Sequence, residues 1–352
     1  MKARKETPAS LGYKMPAEWV PHDAIWLSWP HDPESFGKGL SKVEQAYATL
    51  IKEIHKTEGV ELFVTDPAMQ KRASSFIDRA GADLTKVRFH GFSYADVWIR
   101  DYGPTFVVRR REPKIAMVHW IFNAWGGKYK ELMGDTRIPD QMFPKSRFKT
   151  FKPGIVMEGG SIEVNGQGTV LTTKQCLLNK NRNPSMTRAQ IEKALKDNLG
   201  VSNIVWLNEG IVGDDTDGHI DDIARFVGPT RVVCAVEENK LDANYEPLKE
   251  CFEALEKAKD QDSKPFEIIR LPMPSPVEAD GGRRLPASYA NFYIGNGVVL
   301  APVFGCDQDD AALKILETCF PGRRIAPIPC REWVAGLGTV HCGSQQQPRT
   351  KK

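Results

Sequence analysis

The chain has 352 residues, 41% of them apolar and 26% charged, with a net charge of +3 from 48 basic and 45 acidic side chains. That length can bury a sizeable core as one large domain or two ordinary ones. The balanced charge leaves no footprint for nucleic acid or an anionic membrane, and no run approaches the roughly 18 apolar residues of a spanning helix, so a small molecule or peptide is the expected partner.

Seven cysteines (176, 234, 251, 306, 319, 330 and 342) are odd in number and have no close-spaced pairs, which predicts reduced thiols. Met1 to Lys5 is basic, but Glu6-Thr7-Pro8 stands where a secretory signal needs an apolar run. Both features predict a cytoplasmic protein. Arg349 to Lys352 reads as a solvated tail.

The first part of the chain predicts strands near 24–28, 60–65 and 86–89, with helices around 42–55 and 67–80. A hairpin follows, Thr105 to Val108 with Ile115 to Val118, turning at Arg111-Glu112-Pro113. An apolar run from Ile155 to Val164 then turns at Asn165-Gly166-Gln167-Gly168 and returns through Thr169 to Thr172. Thr187-Arg188-Ala189-Gln190 has the form of a capping box, and Ile191, Leu195 and Leu199 share one helical face. Ile204 to Leu207 closes this unit as a strand.

The same order recurs twice. Ile220 leads to a turn at Gly228-Pro229-Thr230, a strand from Val232 to Val236, a helix with Leu248, Cys251, Phe252 and Leu255 on one face, and a strand from Phe266 to Leu271. The last copy starts at Ser288, turns at Gly295-Asn296-Gly297, has a helix from about Asp309 to Cys319, and closes around Ile325. Turns at Gly166, Pro229 and Asn296 lie 63 and 67 residues apart. Hairpin, helix and strand make a ββαβ unit, and repeats of this size suggest blades or a stack because one unit cannot bury both faces alone.

Several polar groups sit at the starts of these units. Glu158-Gly159-Gly160-Ser161 suits a site where a ligand approaches backbone closely, or simply a turn entering a strand. In Tyr94 to Pro104, Arg100 and Asp101 could form a structural ion pair, and Trp98 could be a core residue. Asp214-Asp215-Thr216-Asp217-Gly218-His219-Ile220-Asp221-Asp222 carries five carboxylates within nine residues. A solvated loop accounts for Asp214 and Asp215. Period-2 spacing places His219 and Asp221 on one face of a strand, where the acid would favour an imidazolium that can donate a proton. Six cysteines lie in apolar contexts as small core residues. Cys342 instead sits in a polar, glycine-rich segment that predicts an accessible sulfur, which suits either a surface thiol or a nucleophile.

Taken together, these segments resemble the agmatine deiminase / bacterial-type peptidylarginine deiminase family of the guanidine-modifying superfamily. The likeness rests on Met15 to Trp19 with Pro21-His22, Trp26 to Pro30, Asp96 to Pro104, Phe122 to Gly127 and Met157 to Ile162. It continues through Leu178 to Pro184, Thr216 to Asp221, Ala287 to Phe292, and His341-Cys342 with Gln345 to Pro348. The pieces span nearly the whole chain, so one domain over 1–352 is implied.

The resemblance implies an α/β fold, a five-bladed propeller of pseudo-symmetric ββαβ units, in agreement with the repeat. It implies Cys342 as nucleophile, His219 as general acid/base, Asp96 and Asp221 as the carboxylates that grip a guanidinium, and Glu158 as the group that orients it. A guanidinium is planar and presents a fork of donors, so carboxylates in its plane would hold it and leave its carbon open to a thiolate. No metal and no cofactor is implied, and the partner is a small cationic guanidinium substrate, without nucleic acid or membrane. The oligomeric state stays open, a homodimer being one option.

Ala95-Asp96-Val97-Trp98 and Gly336-Leu337-Gly338-Thr339 depart from runs common in relatives acting on agmatine, and these positions, Trp98 among them, would line the pocket around the substrate's tail. Agmatine ends in an ammonium, for which Asp215 and Asp217 are candidate partners. Peptidylarginine is the alternative substrate, and the expected cytoplasmic location favours agmatine. A metal-dependent hydrolase using His219, Asp221, Glu158 and Cys342, or a non-catalytic binder of cations, would be the rival readings. Ser275 to Arg284 has loop composition, either a plain surface loop or a lid.

Overall fold

The computed structural model describes residues 6–143 and 147–350; the basic start at 1–5 and the last two residues of the tail lie outside them. The outer elements follow local rules. Asp66 caps the helix Pro67–Ala80 by accepting from the Met69 amide, and Gly81 ends it with φ 83°. Thr187 and Gln190 form the anticipated reciprocal box at the start of Arg188–Leu199, with the Thr187 amide donating to Gln190 Oε1 at 2.7 Å. Ile191, Leu195 and Leu199 are buried along that helix, as are Leu248, Cys251 and Leu255 along Tyr245–Lys257. Among the described residues, no helix is long and apolar enough to cross a membrane.

The strands form five separate sheets in a mixed α/β arrangement. Four have one plan: a strand pairs antiparallel with the next, which pairs parallel with a third reached through helical crossover. They are Thr105–Val108, Ile115–Val118 and Lys149–Phe151; Glu163–Val164, Thr169–Thr173 and Asn203–Leu207; Ala224–Phe226, Arg231–Val236 and Glu267–Pro272; and Tyr293–Ile294, Val298–Val303 and Arg324–Pro329.

The remaining sheet obtains the same plan by joining the two ends of the chain. Ser344–Pro348 pairs antiparallel with His22–Ser28, which runs parallel to Gly59–Val64, and Val87–Gly91 adds a fourth strand. Its glutamines read as a polar surface segment in sequence, yet all three are buried. Gln347 accepts from Trp26 Nε1 at 3.1 Å, and Gln345 and Gln346 accept from Arg100 Nη1 at 3.0 and 2.7 Å. Burial without these partners would be costly.

Two local expectations change. The run Ile155 to Val164 contributes only its last two residues as strand, after a 3₁₀ turn at Gly159–Ser161. His219 and Asp221 are not on a strand either, since a 3₁₀ turn at Ile220–Asp222 precedes the strand Ala224–Phe226. All seven cysteines are free thiols, and only Cys306 is not buried.

Candidate active site

Each sheet is preceded by a short segment that enters its first strand, and these five segments carry the polar residues of the site. Asp101 lies ahead of Thr105–Val108, Glu158 ahead of Glu163–Val164, and His219 and Asp221 ahead of Ala224–Phe226. Asn291 lies ahead of Tyr293–Ile294, and Cys342 ahead of Ser344–Pro348. Gly160 marks where three of the segments meet. A methyl group there would lie 2.5 Å from His219 Nδ1, 2.9 Å from Asp101 Oδ1 and 3.1 Å from Asp221 Oδ2. Only glycine leaves room for those side chains.

Cys342 is 6% exposed, so its glycine-rich setting does not leave the sulfur on the surface. The glycines serve close packing instead. A Cβ at Gly338 would come 2.6 Å from the Trp98 ring and 3.0 Å from Cys342 Cβ. The sulfur accepts from Asn291 Nδ2 at 3.0 Å and lies 3.7 Å from Asp221 Oδ2. Burial, reinforced by the carboxyls of Asp221, Asp222 and Asp101, pushes its pKa well up and favours the thiol.

His219 is fully buried and neither ring nitrogen has a hydrogen-bond partner among the described residues. Its Nδ1 lies 3.8 Å from Asp101 Oδ1. Burial pulls its pKa down to about 3 despite the pull of Asp221 in the other direction. The imidazole is therefore neutral at neutral pH, opposite to the imidazolium expected from its acidic neighbours, because desolvation outweighs them. A neutral imidazole can take a proton first and return it later.

Asp221 is buried and its Oδ2 accepts from His341 Nδ1 at 2.6 Å, while Oδ1 has no partner among the described residues. Burial would raise its pKa, but His341, followed by His219 and Arg225, holds the carboxyl below the usual range. Glu158 is raised by burial, against the opposing charge of Arg182, whose Nε donates to Oε1 at 2.6 Å.

The structure separates the two acids of the Asp96–Asp101 segment. Asp96 Oδ2 accepts from Ser35 Oγ at 2.7 Å and Trp98 Nε1 at 2.8 Å, and Oδ1 accepts from the Val97 amide at 2.7 Å. Burial raises it to about 6. Asp101 instead faces His219, with Oδ1 accepting from Gly160 N at 2.9 Å and Oδ2 from Trp125 Nε1 at 2.9 Å. Burial and the charges of Asp221 and Glu158 push its pKa well up. Asp101 does not pair with Arg100, which turns away to Gln345, Gln346 and Glu18. Asp101 was thus missed as a site residue, although its offset ahead of a first strand is within one residue of that of Glu158 and His219.

A cavity of about 320 Å³ reaches these groups, with Asp101, Cys342, Trp98 and Asp96 in its wall. His219, Asp221 and Glu158 do not line it. Asp215 also lines it and accepts from the Tyr129 hydroxyl. Asp217 does not line it, being bound to Lys128 Nζ at 2.8 Å, Arg182 Nη1 at 2.7 Å and Asn181 Nδ2 at 2.9 Å. The loop 275–284 reaches the cavity only through Arg283, while its neighbour Arg284 is tied to Asp242 at 2.6 Å.

The sequence profile of the Porphyromonas-type peptidyl-arginine deiminase family matches residues 14–348. The chain belongs to this family. It is 40% identical to a putative agmatine deiminase of Legionella pneumophila (strain Paris) over 98% of both chains. It is 37% identical to an agmatine deiminase of Stutzerimonas stutzeri over 99% of both. The solved structure of the agmatine deiminase of Enterococcus faecalis superposes with a TM-score of 0.90 at 31% identity, covering 99% of each chain.

Among the described residues of this family member, two clusters have donor atoms close enough to hold a metal: Glu158, Cys176 and His219, and Asp221, Asp222 and Cys342. Protein groups already engage part of each. Arg182 supplies a positive charge at Glu158, His341 binds Asp221, and Asn291 Nδ2 donates to Asp222 at 2.9 Å and to the Cys342 sulfur.

Proposed function

We propose that this protein is an agmatine deiminase, a hydrolase that converts the guanidinium of agmatine to a ureido group and releases ammonia. The observation that carries the reading is the convergence of two carboxyls, a neutral imidazole and a thiol, of which Asp101 and Cys342 open to one cavity, in a chain matching agmatine deiminases along its whole length. The five sheets fit a five-bladed propeller within a single domain, with the site on its axis. The repeated ββαβ order and the placement of polar groups ahead of each first strand support that arrangement.

Asp101 and Asp221 hold the guanidinium in this reading, Asp101 taking the place first expected for Asp96. Asp96, committed to Ser35 and Trp98, shapes the cavity wall. Glu158, fixed by Arg182, orients the fork from behind. The arriving cation offsets the repulsion among these acids and favours the thiolate.

The Cys342 proton passes to His219 and the sulfur attacks the central carbon. His219 then gives its proton to one amino group, the C–N bond breaks, and ammonia leaves a thiouronium adduct. Water enters, His219 takes a proton from it, and the oxygen attacks the same carbon. Collapse breaks the C–S bond as the hydroxyl proton passes to the departing sulfur, giving N-carbamoylputrescine and restoring Cys342, and His219 releases its proton to solvent. The steps use no metal or cofactor.

The cavity wall favours a substrate with a second positive charge: Asp32, Glu34, Glu131 and Asp215 line it against one cation, Arg283. Asp215 remains a candidate for the ammonium; Asp217, already neutralised, does not. The test is ureido formation from agmatine, free arginine and an arginine peptide. Agmatine is expected to have the highest kcat/KM, and Cys342→Ala to abolish turnover. A peptide turned over as well as agmatine would move the assignment to peptidylarginine, and substantial turnover by Cys342→Ala would remove the nucleophile.

A further inference from the structure

His341 adjoins the nucleophile in sequence, but its ring points to a different set of partners. Nδ1 is 2.6 Å from Asp221 Oδ2 and Nε2 is 2.8 Å from Glu18 Oε2, all three side chains being buried. Carboxylates only accept, whereas a neutral imidazole has one N–H and one lone pair. A neutral ring would therefore aim a lone pair at one of two oxyanions. The geometry requires both nitrogens to donate, which makes the ring an imidazolium.

The surroundings match that charge. Glu18 is held by the Ile294 amide at 2.8 Å, by Arg225 at 3.1 Å and by Arg100 at 3.7 Å, and Arg225 also reaches Glu163 at 3.0 Å. Glu18, Glu163 and Asp221 thus face Arg100, Arg225 and His341, three acids against three cations. A neutral His341 would leave one negative charge uncompensated in a fully buried cluster.

We propose that His341 is a positioning residue for the deimination: an imidazolium anchored on Glu18 that holds Asp221 Oδ2 and leaves Oδ1 free for the guanidinium. The inference rests on the deiminase reading above. It assigns Glu18 as the anchor that fixes the ring. Without the Nδ1 contact, Asp221 lies close to Asp101, Asp222 and the developing thiolate, and it would turn away or take up a proton. Either change removes one of the two acceptors for the substrate fork.

The test compares His341→Asn, whose amide falls near the Nδ1 position, with His341→Gln, whose amide reaches toward Glu18 but not Asp221. The rate of Cys342 alkylation by a haloacetamidine is divided by the rate with the corresponding haloacetamide, because only the former carries a cation for the carboxylates. His341→Gln should lower that ratio roughly tenfold or more and raise KM for agmatine more than it lowers kcat, whereas His341→Asn should keep most of the ratio.

A folded His341→Gln with the wild-type ratio overturns the proposal, as does an equal loss in both variants. If His341→Gln lacks a cooperative thermal transition, Glu18→Gln replaces it; a several-fold lower ratio supports the clamp and an unchanged one overturns it. A wild type that prefers the amidine through His341 but turns over no agmatine would overturn the deiminase reading and leave the clamp standing. Agmatine turnover with an amidine preference independent of His341 does the reverse.

Discussion

The outer helices and the five inner lead-in segments obey different physics. Arg188–Leu199, Tyr245–Lys257 and Asp309–Cys319 each bury one stripe of side chains and leave charges in water, where pairs such as Arg188–Glu192 at 2.9 Å contribute little. The lead-ins are short turns with no apolar stripe, yet Asp101, Glu158, His219, Asp221 and Asn291 are all buried. His219 keeps two unpartnered nitrogens and Asp221 one unpartnered oxygen. Such groups cost free energy, a cost offset by the well-packed periphery and turned to use by a cationic ligand.

The sharpest way to break this comparison lies within one segment. Asp101→Asn should lower kcat/KM for agmatine on the order of a thousandfold, because it removes a charged acceptor for two N–H groups. Asp96→Asn keeps acceptors for Ser35 and Trp98 and should lower it by about tenfold or less. A ureido assay reads both, and the reverse order would return the guanidinium to Asp96.

A smaller effect concerns stability in acid. His219 has its folded pKa near 3, below its unfolded value of 6.5, so below about pH 6.5 the unfolded chain binds a proton that the native site refuses. Stability from this group is therefore fully present above that pH and falls as the pH drops toward 3. Denaturant titrations across this window should show a shallower acid loss for His219→Gln than for wild type. Parallel curves would mean that His219 is not held neutral by burial.

The smallest effect lies outside the site. Thr187→Ala should cost about 1 kcal/mol of stability, through loss of the capping box, with kcat/KM unchanged. A loss of activity would show that the periphery and the lead-ins are not separable.

The peripheral elements were legible because their signals are local. The hairpin Thr105–Val108 with Ile115–Val118 appears at the anticipated residues, and the Thr187 box forms as its spacing requires. Ser344–Pro348 was missed because Gln345, Gln346 and Gln347 look like surface groups until Arg100 and Trp26 are brought against them. Asp101 was passed over because its neighbour Arg100 offered an apparent partner. His341 was hidden beside the cysteine, its partners Asp221 and Glu18 lying 120 and 323 residues away.

The sequence by itself determined the repeated order of hairpin, helix and strand, which rests on periodicity and capping that act over a few residues. Its resemblance to a family singled out Cys342, His219, Asp221 and Glu158. Tertiary structure alone decided that the chain's two ends share a sheet, that Asp101 rather than Asp96 faces His219, and that His219 is neutral while His341 bridges two acids. These outcomes depend on which distant groups share a buried space, because desolvation and charge pairing there outweigh what any neighbour in sequence can impose.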